Sequence, residues 1–290
     1  MLRVLWGSAG FDPSRDVYLV FNPLGELAGY TEVWALSSPP VHPFIWGVVD
    51  RRFQGLGIGT HTLAWAEQHA RRVLDLSPAD VRVAATASFP SVVTGSRQLL
   101  EHQGWRYLRR SYTMQIDLDA APPAPVFPPG LVLQPYQPEH LEAIYRTLDE
   151  SFSDHFGHID QPFEIGFPRF KHEMLEDPLV DTGLWFTAWD GEQAAGICLC
   201  RPQAYNDPDC GYVNFLGVRR AWRKRGLGLA LLQHTFGEFY RRGVRKVSLG
   251  VDAYNLTGAL RLYEKAGMYV LRQFDQYEKE LRPGRELRVE

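Results

Sequence analysis

Cysteine is scarce in this chain of 290 residues: Cys198, Cys200 and Cys210 are all there is. Three are too few for a disulfide framework, and no third and fourth ligand follows at zinc spacing, so no metal is expected. Cys198 and Cys200 lie two apart on an expected strand and read as small buried hydrophobes. Long apolar runs are missing too. None reaches the ~18 residues that a membrane span needs, and Met1 to Gly10 lacks a secretory hydrophobic region, which points to a cytoplasmic protein. Neither charge sign dominates: 31 Lys and Arg stand against 34 Asp and Glu, a formal net charge of −3. That balance argues against nucleic acid or a membrane surface as partner. No Gly-x-Gly-x-x-Gly occurs and no Gly-Lys-Ser/Thr follows a glycine turn, so dinucleotide and P-loop folds are disfavoured. What is present is a hydrophobic content of 45%, enough for ordinary cores, and a length that suggests two domains.

In the first half, alternation predicts strands at Val17 to Phe21 and Glu26 to Leu36, joined at Asn22-Pro-Leu-Gly25, and another at Trp46 to Val49. A helix from Ile58 to Val73, a strand at Val81 to Ala87, a helix at Gly95 to His102 and a strand at Trp105 to Leu118 follow. Residues 120–130, Ala-Ala-Pro-Pro-Ala-Pro-Val-Phe-Pro-Pro-Gly, have the composition of an extended linker. The second half opens with a strand at Leu131 to Gln134 and a helix from Pro138, with Leu141, Ile144, Tyr145, Leu148 and Phe152 on one face. Ser153 to Leu175 is aromatic-rich, a short helix plus loops. A hairpin across Asp190-Gly191 and a strand at Gly211 to Val218 come next. Then follow Arg-Lys-Arg-Gly-Leu-Gly (Arg223 to Gly228), a helix carrying Leu231, Leu232, Phe236 and Phe239, and a strand at Lys246 to Val251. A helix at Leu256 to Ala266, a strand at Met268 to Leu281 and a charged tail, Arg282 to Glu290, expected to be mobile, complete the chain.

The halves repeat one another. Val49-Asp-Arg-Arg-Phe-Gln-Gly-Leu-Gly-Ile-Gly59 aligns with Val218-Arg-Arg-Ala-Trp-Arg-Lys-Arg-Gly-Leu-Gly228, and Leu99-Leu-Glu-His-Gln-Gly-Trp105 with Leu262-Tyr-Glu-Lys-Ala-Gly-Met268. The period is that of a whole domain, not of a solenoid. We therefore expect domains at 1–119 and 131–282, a linker at 120–130 and a tail at 283–290. In each, glycines fall where a strand becomes a helix. Free N–H groups and the positive end of the helix dipole there suit a diphosphate.

This order of motifs, Q/R-x-x-G-x-G/A between strand and helix, then Gly250-Val-Asp-Ala-Tyr-Asn255 and Leu262-Tyr-Glu-Lys-Ala-Gly267, resembles the GCN5-related N-acetyltransferase (GNAT) superfamily over essentially the whole chain. The tandem arrangement is similar to that of the mycothiol synthases. The resemblance implies an α/β architecture of two mixed sheets flanked by helices, each with a splayed strand pair, and acetyl-CoA as co-substrate. It implies that the backbone of Leu216, Gly217 and Val218 pairs with the pantetheine arm, and that Arg223, Lys224, Arg225, Gly226, Leu227, Gly228 and Leu229 wrap the pyrophosphate. Asn255 would bond the pantetheine arm or a water, and Tyr263 would stand near the sulfur as general acid. The acceptor implied is an amine, more readily of a small molecule than of a protein.

The halves depart from the pattern differently. The first has Leu100 at the tyrosine position, nothing matching Asn255, and none of the region where the family builds its acceptor-binding helices. A second CoA site there would use Val49, Gln54, Gly55, Gly57, Gly59 and Thr60, but that half is expected to be catalytically silent. In the second half Asn214 stands where many members carry a glutamate base. The base is left open among Asp252, His155 and His158, or water with no dedicated base. Phe152, Phe156, Phe163, Phe167 and Phe170 suggest packing or an apolar acceptor pocket with Asp154 or Glu150 attracting an amine. Within the acetyltransferase reading, an enzyme similar to the mycothiol synthases and acting on a thiol-sugar amine is the named alternative; two rivals stand outside it, a non-catalytic CoA-binding or sensor protein and a chain whose first domain only completes the fold.

Overall fold

The computed structural model describes residue 6 and residues 10–204, 206–255 and 258–289. Along the chain it places strands β1 (Val17–Phe21), β2 (Leu27–Trp34) and β3 (Phe44–Val49), helix α1 (Ile58–Ala70), β4 (Val83–Pro90), α2 (Thr94–His102) and β5 (Arg106–Asp117). There follow β6 (Leu131–Gln134), α3 (Leu141–Phe152), α4 (Phe163–Leu175), β7 (Trp185–Asp190), β8 (Gln193–Arg201) and β9 (Cys210–Val218). The series ends with α5 (Leu227–Arg241), β10 (Lys246–Asp252), α6 (Ala259–Lys265) and β11 (Tyr269–Arg282). The expected start of α6 at Leu256 lies outside the described residues.

Two compact units emerge, and they do not follow the expected cut at 119. One comprises residues 1–110 with 273–287, the other residues 111–272 with 288–290. The reason is strand pairing. Residues 111–117 of β5 pair antiparallel with β10, whereas residues 274–282 of β11 pair antiparallel with β4. Each unit thus completes its sheet with a strand that the chain order would give to the other.

The first unit orders its strands β1-β2-β3-β4-β11 and the second β6-β7-β8-β9-β10-β5. In both, one parallel pair sits among antiparallel ones, β3 with β4 and β9 with β10. The second unit has two cores. Leu227, Leu231, Leu232, Phe236 and Phe239 of α5 pack with Cys198, Cys200, Val213, Val247 and Tyr263. Ile144 and Tyr145 of α3 pack with Phe170 and Met174 of α4 against Trp185, Ile197 and Leu199. Burying apolar area on each side of the sheet is what fixes the strands' register, since a one-residue slip would turn every side chain over.

The 120–130 stretch forms no helix or strand, as its prolines require, but Phe127 packs on the core of the second unit, its ring 6.3 Å from His234. Nor is the tail loose. Arg285 exchanges backbone hydrogen bonds with Asp80 and Arg82 in the first unit. In the second, Val289 pairs with Gly157 and His158, and the Arg288 guanidinium lies 4.8 Å from the Phe156 ring. The expected mobility is therefore corrected: backbone pairing outweighs the tail's charged composition.

Candidate active site

The site begins where a parallel pair comes apart. β9 and β10 pair from Cys210 with Lys246 up to Val213 with Leu249, and no further. At the next residue β9 also slips against β8: Leu199 faces Phe215 but Cys200 faces Val213, leaving Asn214 as the extra residue of a β-bulge. A bulge bends and twists its strand, which turns Phe215 to Val218 away from β10. The edge of β9 beyond Asn214 is thereby left without a strand neighbour on the β10 side.

Gly217 is needed on that stretch because a Cβ there would come 2.9 Å from the Cβ of Ser151 on α3. Beyond Val218 the chain makes one 3₁₀ turn, Arg220–Trp222, and enters the glycine loop. Lys224 and Gly226 both take positive φ, 61° and 90°. For lysine that conformation is uncommon and costs about 1 kcal/mol. Gly226 starts α5 with no side-chain cap, so the first N–H groups of the helix are open to an anion. Gly228 lets α6 close in, since a Cβ there would meet Leu262 Cδ2 at 3.1 Å.

Arg223 does not point its charge outward. Its guanidinium donates to both carboxylate oxygens of Asp154, to the Ser151 carbonyl and, from Nε, to the Val218 carbonyl at 3.0 Å. The Arg223 side chain thus braces the loop against the end of α3. Glu150 is likewise engaged, with Arg219 at 2.6 Å and the Arg220 backbone N–H.

Of the expected catalytic residues, Tyr263 is 8% exposed within the α5-side core. Burial pushes its phenol well above the usual value, with Cys198 adding to the effect. His155 follows α3 and packs on Phe152 at 4.5 Å between ring centres. Burial pushes its imidazole down; Asp154 and Asp252 pull the other way, and Arg223 and His158 push further down. His158 is committed to Asp160 at 3.0 Å. Asp252 ends β10, where one carboxylate oxygen accepts the Tyr254 N–H. The Asn255 side chain accepts the N–H of Ala259 at 3.4 Å, at the start of α6. The structure thus brings His155 near Asp154, Arg223, Asp252 and His158, sets Tyr263 in the α5-side core, and has Asn255 accept a hydrogen bond at the start of α6.

The first unit reproduces the frame. β3 and β4 pair only at Phe44 with Thr86 and Ile45 with Ala87, then separate. Gly55 and Gly57 have φ of 77° and 80°, α1 starts uncapped, and a Cβ on Gly59 would meet Leu99 Cδ2 at 3.2 Å. Gln54 Nε2 reaches the Val49 carbonyl at 3.4 Å, where Arg223 reaches that of Val218. Thr60 lies in the first turn of α1. A surface hollow of about 410 Å³ in this unit, lined by Trp65, Gln68, His69 and Arg72, contains none of these residues. Leu100, buried on α2, stands where α6 has Tyr263.

Three features escaped the sequence: the bulge at Asn214, the Asp154 partner of Arg223 and the Val289 pairing with the 157–158 loop. Only the repeat gave a hint, by setting Arg223 against a neutral Gln54. Among the described residues no group of three or more His, Cys, Asp or Glu could hold a metal ion, and no helix is long and apolar enough to cross a membrane.

The sequence pattern of the acetyltransferase (GNAT) family matches residues 5–89 and 141–268. The chain belongs to this family. As a GNAT N-acetyltransferase it has relatives built in the same way. It is 29% identical over 259 residues to a mycothiol acetyltransferase of Thermobispora bispora, covering 88% of this chain and 81% of that one. A mycothiol acetyltransferase of Corynebacterium aurimucosum is 28% identical over 257 residues, covering 82% and 76%. Among solved structures, a GCN5-related N-acetyltransferase from Sphaerobacter thermophilus superposes with a TM-score of 0.81 at 36% identity, over 99% of this chain and 87% of that one. A tandem GNAT protein from the clavulanic acid biosynthesis pathway shares the fold, with a TM-score of 0.70 at 16% identity over 97% and 88%. The family uses acetyl-CoA as acyl donor.

Proposed function

We propose that the second unit acetylates the amine of a small molecule by direct attack on acetyl-CoA, with both substrates bound together. The observation that carries this reading is the fork at Asn214, open between β9 and β10, with the uncapped start of α5 at its mouth. The residues present fit the donor. Leu216, Gly217 and Val218 offer a strand edge on which the amide-bearing arm can lie as an added strand. Lys224, Arg225 and the N–H groups at Leu227 to Leu229 suit the diphosphate.

Acetyl-CoA supplies a thioester carbonyl, already activated for attack. Tyr263 keeps its proton at neutral pH because burial raises the phenol, and so donates a hydrogen bond to the departing sulfur. A thiol's pKa of about 8.5 lies below that of the phenol; the bond therefore stabilises the thiolate without the proton being given up. His155 receives the proton lost by the amine, because burial keeps its imidazole neutral and able to accept. His158, held by Asp160, and Asp252, turned to its own backbone, are less free to do so.

The mycothiol acetyltransferase relatives make a thiol-sugar amine the first acceptor to try. The test is release of free thiol from acetyl-CoA by the full chain, with and without a panel of amines. Amine-dependent release is expected. Binding of CoA in calorimetry with no transfer to any amine would instead identify a non-catalytic CoA-binding protein. The first unit is read as silent, since Leu100 offers no hydroxyl.

A further inference from the structure

Asn214 has a second peculiarity besides its place in the bulge. It has no partner in the ladder with β10 or in the ladder with β8, and its side-chain Oδ1 is enclosed and accepts no hydrogen bond from the described residues. A buried carbonyl oxygen left without a donor is costly, and folded proteins rarely keep one without a use for it. Its two flanking residues turn to opposite cores: Val213 belongs to the one on the α5 side, and Phe215 packs with the cluster of α3 and α4.

The chemistry of the fork narrows what the missing donor can be. If the diphosphate lies at the glycine loop and the pantetheine arm along Leu216 to Val218, the reacting end of the donor comes to the apex of the fork, at Asn214. An acetyl thioester has a carbonyl oxygen, a sulfur and a methyl group there, and no N–H or O–H. It cannot satisfy a carbonyl oxygen. The attacking amine can, since it carries N–H bonds in addition to the lone pair that forms the new C–N bond.

We infer that Asn214 Oδ1 accepts an N–H of the attacking amine and so aims its lone pair at the thioester carbonyl. This rests on the reading of the second unit as the amine-acetylating site. Being an amide, Asn214 orients the amine but takes no proton from it; the proton leaves to another group. The arrangement favours acceptors with an N–H to spare beyond the one that is lost, so primary amines over secondary ones.

Asn214→Leu, of similar size and without the oxygen, tests this in the full chain with acetyl-CoA and a transferred amine. The expected result has three parts. kcat/KM for the amine falls about 30-fold or more, in the range of a lost hydrogen bond that positions a reacting group. The Kd for CoA by calorimetry stays within about twofold. Tm rises by about 2–4 °C, because the orphan oxygen has gone. Asn214→Asp, which keeps an acceptor oxygen, should retain far more of the amine kcat/KM than Asn214→Leu. If the wild-type chain transfers acetyl but Asn214→Leu leaves the amine kcat/KM unchanged, this inference is overturned and the proposed function stands. A fall in Tm with equal losses for both substrates would assign the oxygen to a structural water and overturn it as well. Failure of the wild-type chain to acetylate any amine would remove both.

Discussion

The two glycine loops, Val49 to Gly59 and Val218 to Gly228, share a backbone path and differ in what surrounds it. Each follows a parallel strand pair that separates, passes a 3₁₀ turn, places two positive-φ residues and starts an uncapped helix. Even the glycine that admits the next helix meets the corresponding leucine, Leu99 or Leu262, at 3.2 and 3.1 Å. The difference lies in α3 and its following loop, which among the described residues only the second unit possesses in this position, and in Leu100 against Tyr263. The backbone frame is thus common to both, and on the proposed reading only the second carries the groups for chemistry.

Four measurements would break or sharpen that comparison. The largest effect is expected from Tyr263→Phe. Loss of the hydroxyl should lower kcat about 10²-fold across the pH range, while Leu100→Tyr in the first unit changes nothing; an unchanged kcat for Tyr263→Phe would remove the hydroxyl from the mechanism. Next come Gly226→Ala and Gly57→Ala. Both glycines have positive φ and open space around the missing Cβ, so each substitution strains only the backbone, by about 1–2 kcal/mol. Both should lower Tm alike, but only Gly226→Ala should also raise the KM for acetyl-CoA, because only there do the displaced N–H groups face the diphosphate. Equal kinetic losses would mean that both loops serve turnover.

A smaller effect is expected from Arg223→Gln, which gives the second loop the residue of the first. It removes the Asp154 brace, partly open to solvent, and should cost about 1 kcal/mol. The sign of its pH dependence follows from Asp154, whose carboxyl Arg223 holds below the usual range. The stabilisation is present above the unfolded carboxylate pKa of ~3.9 and is lost as pH falls through the lower folded value. The Tm difference between wild type and Arg223→Gln should therefore persist at pH 6 and close on acidification below about pH 4; a difference constant to low pH would refute the ion-pair account. The smallest is Arg288→Ala. Removing its cation from the Phe156 ring should cost about 0.5–1 kcal/mol and raise the amine KM a few-fold with the acetyl-CoA KM unchanged. Parallel changes in the two KM values would show that the tail merely adds stability.

Much of the fold could be read along the chain. The hairpin at Asp190-Gly191, the helix carrying Leu231, Leu232, Phe236 and Phe239 and the extended 120–130 stretch all stand where alternation, spacing and proline place them. The domain division could not be read this way, because sequence neighbourhood gives β5 to the first half and β11 to the second, whereas they pair with β10 and β4. Within the candidate site, Tyr263 and the glycine loop were visible as motifs. The role of Arg223 was not, since its partner Asp154 is 69 residues away.

The sequence by itself determined the repeat, the family and the residue types at the fork, because these depend on local order and spacing. Tertiary structure alone decided that Asn214 is the extra residue of a bulge and that its oxygen has no donor among the described residues. That could not be read from one strand, since a bulge exists only relative to the register of the strand beside it.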